Sequence, residues 1–173
     1  ITNATAITSG SYHNCALLST GAVRCWGDDT HGQIGDDGAT SAAISTPTTI
    51  SGATSNVVAL GTGYNTSCYS LANGTTRCTG ADGSGQLGNN ATILSVQIPV
   101  AVANITTRVR GMTAHGGWAN FCAIYEEPST IGVPAPSAIS VNLLKCWGAD
   151  TSGQLGNDIP ATNKGTPVSV TDF

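Results

Sequence analysis

The sequence predicts an all-β protein built from three tandem repeats, and three observations carry that reading. The chain has 173 residues, with 22 Gly, 40 Ser and Thr, and a charged fraction of 9 %, against roughly 25 % in an average soluble domain. Its apolar residues, 40 % of the total, fall in short runs bounded by Gly, Asn, Asp and Pro. They show no helical period, which is the pattern of strands. One motif also returns three times: Gly32-Gln33-Ile34-Gly35, Gly85-Gln86-Leu87-Gly88 and Gly153-Gln154-Leu155-Gly156.

The repeat has a fixed frame. A cysteine (Cys25, Cys78 or Cys146) stands seven residues before the first Gly of each motif. The earlier cysteines, Cys15, Cys68 and Cys122, are 53 and 54 residues apart. Self-similarity at this period marks a repeat architecture, so residues 1–173 form one array with repeats at about 1–53, 54–106 and 107–173. The third pair, Cys122 and Cys146, is 24 residues apart instead of 10, an insertion of 14 residues near 126–141. Pro, Gly and small residues between Glu126 and Ser140 predict an irregular exposed loop. That loop is a candidate contact with a partner or a neighbouring subunit.

Within a repeat the elements follow in order. A run such as Cys15–Leu18 turns at Ser19-Thr20-Gly21 into Ala22–Gly27. The Gly-Gln loop comes next, then a run led by proline, Thr46–Ile50, and an apolar run, Val57–Gly61, that is expected to close the unit. Pro47, Pro99 and Pro167 are expected to open their strands, where a missing N–H is tolerated. Several runs are apolar on both faces, which fits sheets packed on each side by other sheets, as in propeller blades.

The cysteines fit the same hairpins. Cys15 and Cys25 lie five residues either side of Thr20, and Cys68 and Cys78 five either side of Asn73. Residues facing each other across an antiparallel pair have Cβ atoms ~4.5–5.5 Å apart, near the ~3.5–4.5 Å of a disulfide. Zinc and free thiols are the alternatives, but zinc sites usually show CxxC-like knuckles with convergent His, and neither occurs. The pairing expected is Cys15–Cys25, Cys68–Cys78 and Cys122–Cys146, which implies an oxidising compartment.

Taken together, Cys15-Ala16-Leu17, Gly21, Val23, Cys25-Trp26-Gly27, Asp29 and Gly32-Gln33-Ile34-Gly35 resemble the repeat of the regulator of chromosome condensation family. More narrowly they resemble its bacterial extracellular branch, in which cysteines face each other across the hairpin. The likeness spans essentially the whole chain; Thr79 departs from it, where the other repeats have Trp26 and Trp147. It implies a β-propeller of four-stranded blades, usually seven. The chain is therefore expected to form three tandem four-stranded blades, as an incomplete ring or a continuous array.

Propellers typically have 4–8 blades, so three are expected to leave two apolar blade faces uncovered. The sequence begins at Ile1 rather than Met, which implies a removed leader or a section of something longer. Pro47 precedes Cys68 by 21 residues, and joining the ends puts Pro167 21 residues before Cys15. The ends are thus expected to be complementary halves of one repeat. The partners this implies are copies of the chain or adjoining repeats, meeting through the terminal blades.

Catalytic patterns are missing. His13, His31 and His115 occupy non-equivalent positions, no Gly-x-Ser-x-Gly elbow is present, and Gly83-Ser84-Gly85 precedes no helix. No catalytic residue and no cofactor is expected. Asp29, Asp82 and Asp150 each follow a cysteine by four residues; they are weak metal candidates, with an Asx-type turn as the stronger reading. The repeated Gln33, Gln86 and Gln154 are expected to satisfy loop backbone, and Trp26 and Trp147 to wedge between blades. Trp118 has no sequence counterpart in the other repeats. Asn-x-Ser/Thr sequons at Asn3, Asn65, Asn73, Asn90 and Asn104 point to glycan.

With 6 Lys and Arg, a formal charge of −4 and a pI near 5.0, the chain lacks the clustered cations that nucleic-acid binding needs. No window reaches the ~18 apolar residues of a membrane span. The function expected is a non-catalytic extracellular structural repeat, a subunit or segment of a surface filament or array assembled by blade-to-blade contacts, with adhesion as one use. The alternative is a secreted propeller that binds protein, as an adhesin or an enzyme inhibitor does. Nucleotide exchange on a small GTPase, as in the family's nuclear member, conflicts with the cysteine pairs.

Overall fold

The computed structural model describes all residues except 39–42, 92, 115–116, 130–138 and 172–173. Among the described residues there are strands and turns and no α-helix. The strands are β1 (Ala4–Ser9), β2 (His13–Leu18), β3 (Val23–Gly27), β4 (Ile44–Thr49), β5 (Val57–Thr62), β6 (Thr66–Leu71), β7 (Thr76–Ala81), β8 (Ser95–Ala101), β9 (Val109–Ala114), β10 (Asn120–Ser129), β11 (Ile139–Gly148) and β12 (Lys164–Ser169). They form three four-stranded antiparallel sheets in the orders β1-β2-β3-β4, β5-β6-β7-β8 and β9-β10-β11-β12. Each sheet is a blade made from one continuous stretch of chain.

The central hairpin of each blade is in the register that the cysteine spacing requires. Cys15 pairs with Cys25, Cys68 with Cys78 and Cys122 with Cys146, and each pair is a disulfide with its Cα atoms 4.1 Å apart. No free cysteine remains. Three such bridges belong to a compartment other than the reducing cytosol. Among the described residues no helix is long and apolar enough to cross a membrane.

The core lies between the blades. One apolar cluster joins Val23, Ile34 and Ile50 of the first blade and its loops to Val57 and Tyr69 of the second. The other joins Leu87 and Val102 of the second to Phe121, Tyr125 and Trp147 of the third. Burial rises where blades meet: β1, an edge strand of the first blade, is mostly exposed, whereas five successive residues of β6 in the middle blade are buried. Stability therefore comes from the joints, as in other stacked repeats.

Four sequence expectations change in the structure. Val57–Gly61 does not close the first unit; as β5 it heads the second blade, with Leu60 opposite Tyr69 and Gly61 opposite Cys68. Since β1 and β12 each belong to a complete sheet, the chain ends are not halves of one blade. Pro47, Pro99 and Pro167 stand inside β4, β8 and β12 rather than at their starts. Each immediately precedes the residue opposite the second cysteine, where the register shifts. All three strands are blade edges, so the absent N–H breaks no ladder. Finally, the flanks of the insertion are not irregular: they lengthen the third hairpin, with Glu126 opposite Asn142 and Ser129 opposite Ile139. The rest of the insertion, 130–138, lies outside the described residues.

Candidate interaction site: the joint between blades

Each joint is made by a side chain one residue after the second cysteine reaching back into the Gly-Gln loop of the preceding blade. The alternation of strand residues puts the cysteines on one face of a blade and their neighbours on the other. In the third blade the neighbour is Trp147, fully buried, stacked on its register partner Phe121 with ring centroids 5.8 Å apart. Its Nε1 donates to the Gln86 carbonyl at 2.9 Å. In the second blade the pair is Thr79 and Ser67. Thr79 Oγ1 lies 2.8 Å from the Gly32 carbonyl and Ser67 Oγ donates to the Gln33 carbonyl at 2.7 Å. Two hydroxyls thus do at the first joint what an indole does at the second.

The loop glycines explain why nothing else fits there. A Cβ on Gly32 would lie 2.7 Å from the Gln97 Cα of the next blade, and one on Gly85 2.6 Å from the Gly165 Cα. At the second glycine of the motif, Gly35 meets Thr79 and Gly88 meets Trp147, at 2.7 and 2.9 Å. Gly153 differs: a Cβ there would meet nothing within 4 Å, and at Gly156 it would touch only Val170 of its own blade. Within these 173 residues the third loop is therefore an uncovered socket. At the opposite end Trp26, equivalent to Trp147 and Thr79, is only partly buried. Exposed Ile7 and Tyr12 lie in the first blade, and exposed Ile124, Leu143 and Ile159 in the third.

The loops are held by their own polar side chains. Asp29, Asp82 and Asp150 are buried, and each Oδ1 accepts the N–H five residues on (Ile34, Leu87 or Leu155) at 2.8–3.0 Å. This spans more than the Asx turn expected at these positions; true Asx turns form at Asp36, Asn89 and Asn157, each accepting from the N–H two residues on. Gln33, Gln86 and Gln154 each accept, through Oε1, the N–H two residues earlier, from His31, Ser84 and Ser152. The second carboxylate oxygen of all three aspartates is buried with no partner. Burial pushes the Asp29 carboxyl up to about 6 against the Ile34 hydrogen bond, and the carboxylates of Asp36 and Asp28 add to the rise. Burial also raises Asp82. Among the described residues no three His, Cys, Asp or Glu side chains converge as a metal site would require.

His13 sits inside the first joint. Because Ser67 gives its proton to Gln33, it accepts from His13 Nε2 at 2.9 Å. That fixes the imidazole proton on Nε2 and leaves Nδ1 buried without a partner. Burial lowers its pKa to about 4, opposed by the Asp28 carboxylate. His31 bridges the same joint outside the core, with Nδ1 3.2 Å from Asn65 Nδ2; His115 lies outside the described residues. Of the sequons, Asn3, Asn73, Asn90 and Asn104 are exposed and Asn65 is buried.

Sequence reasoning missed a row of turns on one rim. The Ser11 N–H donates to the Tyr64 carbonyl and the Tyr64 N–H to the Trp118 carbonyl, at 3.2 and 3.1 Å. Trp118 thus has structural counterparts in every blade, four residues before the first cysteine. Tyr64 and Trp118 are both exposed. Counting back from Cys15, Cys68 and Cys122 would have aligned them; the differing residue types hid the match.

The model of the regulator of chromosome condensation (RCC1) repeat matches residues 4–33. Across 99 % of the chain the fold is similar to that of Saccharomyces cerevisiae Prp20p, a protein studied for its binding to Gsp1p and histones, at 17 % identity and a TM-score of 0.74. It is similar too to yeast RCC1 (Prp20) in its complex with Kap60, at 18 % identity and 0.72. Human WBSCR16 gives 19 % and 0.60 over 97 % of the chain. The chain spans 39 %, 37 % and 53 % of those proteins.

Proposed function

We propose, from the premise that this chain is an array of RCC1-type propeller blades, that it is a non-catalytic structural repeat working outside the cell. It serves as a subunit or segment of a surface filament or array assembled by blade-to-blade contacts. One observation carries this reading: the two internal joints reuse a single construction, and its two halves recur unpaired on the outer faces, the wedge at Trp26 and the socket at Gly153. Three disulfides suit an extracellular setting, and exposed Asn3, Asn90 and Asn104 offer sites for glycan. Electron microscopy of the native material tests it: periodic fibres or sheets support it, and discrete closed particles contradict it.

A second reading, a secreted propeller that binds another protein, is favoured by the exposed Tyr64 and Trp118 on adjoining turns. Exposed aromatics grouped on one rim are frequent anchors of protein interfaces. Discrete particles that lose binding on Trp118→Ala would favour it.

A further inference from the structure

We propose that a cleft over the second joint is a binding site for a neutral sugar residue. The cleft has a volume of about 350 Å³, at the small end of the roughly 300–1,000 Å³ of ligand sites. One wall is the loop of the second blade, with Ser84, Asn90, Ile93 and Leu94; the other is Asn163 and Gly165, where β12 begins in the third blade. Both walls belong to a joint completed within the chain, so the cleft does not depend on what adjoins the first or the third blade.

The repeat explains why space opens at this joint. Counted back from Pro99 and Pro167, Gly165 stands where the second blade has Gln97. At the first joint the Gln97 side chain lies over Gly32, its Cγ 2.7 Å from where a Cβ would stand. At the second joint Gly85 faces only the backbone of Lys164 and Gly165. A side chain that fills the first joint is thus missing from the second. The loop is still anchored across the gap, since the Asn90 N–H donates to the Gly165 carbonyl at 2.7 Å.

The lining selects the ligand. Asn163 Oδ1 accepts the Asp150 N–H, which leaves the Nδ2 hydrogens to give. The Asn90 amide and the Ser84 hydroxyl can each give and accept. Among the described lining residues there is no cation, and the one acid, Asp82, is buried with its Oδ1 bonded to the Leu87 N–H. Such a set pairs with hydroxyls and has nothing to hold an anion. Exposed Ile93 and Leu94 add an aliphatic edge for the C–H face of a sugar ring.

The test is an NMR titration of the isotope-labelled chain, made without glycosylation and with its disulfides intact. The probes are glucose, galactose, mannose and N-acetylglucosamine, with glucuronate as the charged control. At least one neutral sugar should move the Ser84, Asn90 and Asn163 amide signals saturably, with a Kd of about millimolar for a ligand of this size. Gly165→Gln restores the filling found at the first joint; a Cβ there meets only the Asn90 Cα, at 3.8 Å, so the fold is kept. It should weaken binding at least roughly tenfold. Asn90→Gly removes the amide, keeps the backbone bond and suits the φ of 59°; it should weaken binding roughly threefold to tenfold. In native material a glycan mapped to Asn90 itself assigns the sugar to this chain, and an unmodified Asn90 assigns it to a separate molecule. No movement by any neutral sugar, equal binding of glucuronate, or binding undiminished in Gly165→Gln overturns the proposal.

Discussion

The Trp147 indole donates a 2.9 Å hydrogen bond to the Gln86 carbonyl, 61 residues earlier and in the neighbouring blade. A β-blade cannot bury both its faces alone, and this bond shows how two blades complete one another. The ring fills the space over Gly88 while its single polar atom satisfies a loop carbonyl that the same packing takes from water. Both requirements are met by one side chain, which is the arrangement a buried Trp needs.

Trp147→Ala should therefore be costly, at about 3–5 kcal/mol for a buried Trp with an orphaned carbonyl left behind. Trp26→Ala removes the same residue type from a face with no neighbour and should cost about 1 kcal/mol or less. Urea unfolding of both variants under non-reducing, dilute conditions measures the difference. Equal losses would contradict the placement of the core in the joints.

The first joint should respond to pH through two groups of opposite sign. His13 ionises at about 4 in the folded chain against 6.5 when unfolded, so its contribution is complete above about 6.5 and is lost as pH falls through about 4. Asp29 ionises at about 6 against 3.8, so its buried charge destabilises above about 6, and that penalty fades as pH falls towards 4. The two trends offset each other in the parent. Asp29→Asn, which keeps the acceptor for the Ile34 N–H, should raise Tm at pH 7.5 and leave it unchanged at pH 3.5. His13→Gln should flatten the loss of stability between pH 6 and 4. Thermal melts across this range separate the two effects.

Much of this architecture was legible in the sequence. The hairpins, the disulfides and the three-blade array follow from cysteine spacing, because a turn centred between two cysteines leaves one register in which they meet. The phase of the blade did not follow. Val57–Gly61 reads equally well as the last strand of one unit or the first of the next, since apolarity marks burial and not which sheet accepts the hydrogen bonds. The prolines misled for a related reason: Pro47 is excluded from ladders, but a strand edge with a bulge excuses it as well as a strand start does. Thr79, which looked like a defect in the repeat, is a second solution to the joint, and only the Gly32 carbonyl beside it reveals that.

The disulfides should differ in access to reductant. Cys15–Cys25 and Cys68–Cys78 are fully buried in the two joints, whereas the Cys122–Cys146 bridge lies on the open face of the third blade with Cys122 partly exposed. Mild reduction of the folded chain followed by alkylation and mass mapping should label Cys122 and Cys146 first. Simultaneous labelling of all six would contradict the burial of the first two bridges.

Glycan, where the natural source attaches it at sequons, should follow exposure. Peptide mapping is expected to find it at Asn3, Asn73, Asn90 or Asn104 and not at Asn65, which is buried and faces His31 across the first joint. Occupied Asn65 would require that joint to open.

The most direct test of the joint as the unit of construction is oxidative footprinting of the three tryptophans, read by mass spectrometry at low and high protein concentration. Trp147 should be protected at every concentration. Trp26 should be oxidised in the dilute chain and become protected in step with association, while Trp118 on the rim remains reactive. Trp26 that is protected in the dilute monomer, or that stays equally reactive in the assembled material, would contradict the account.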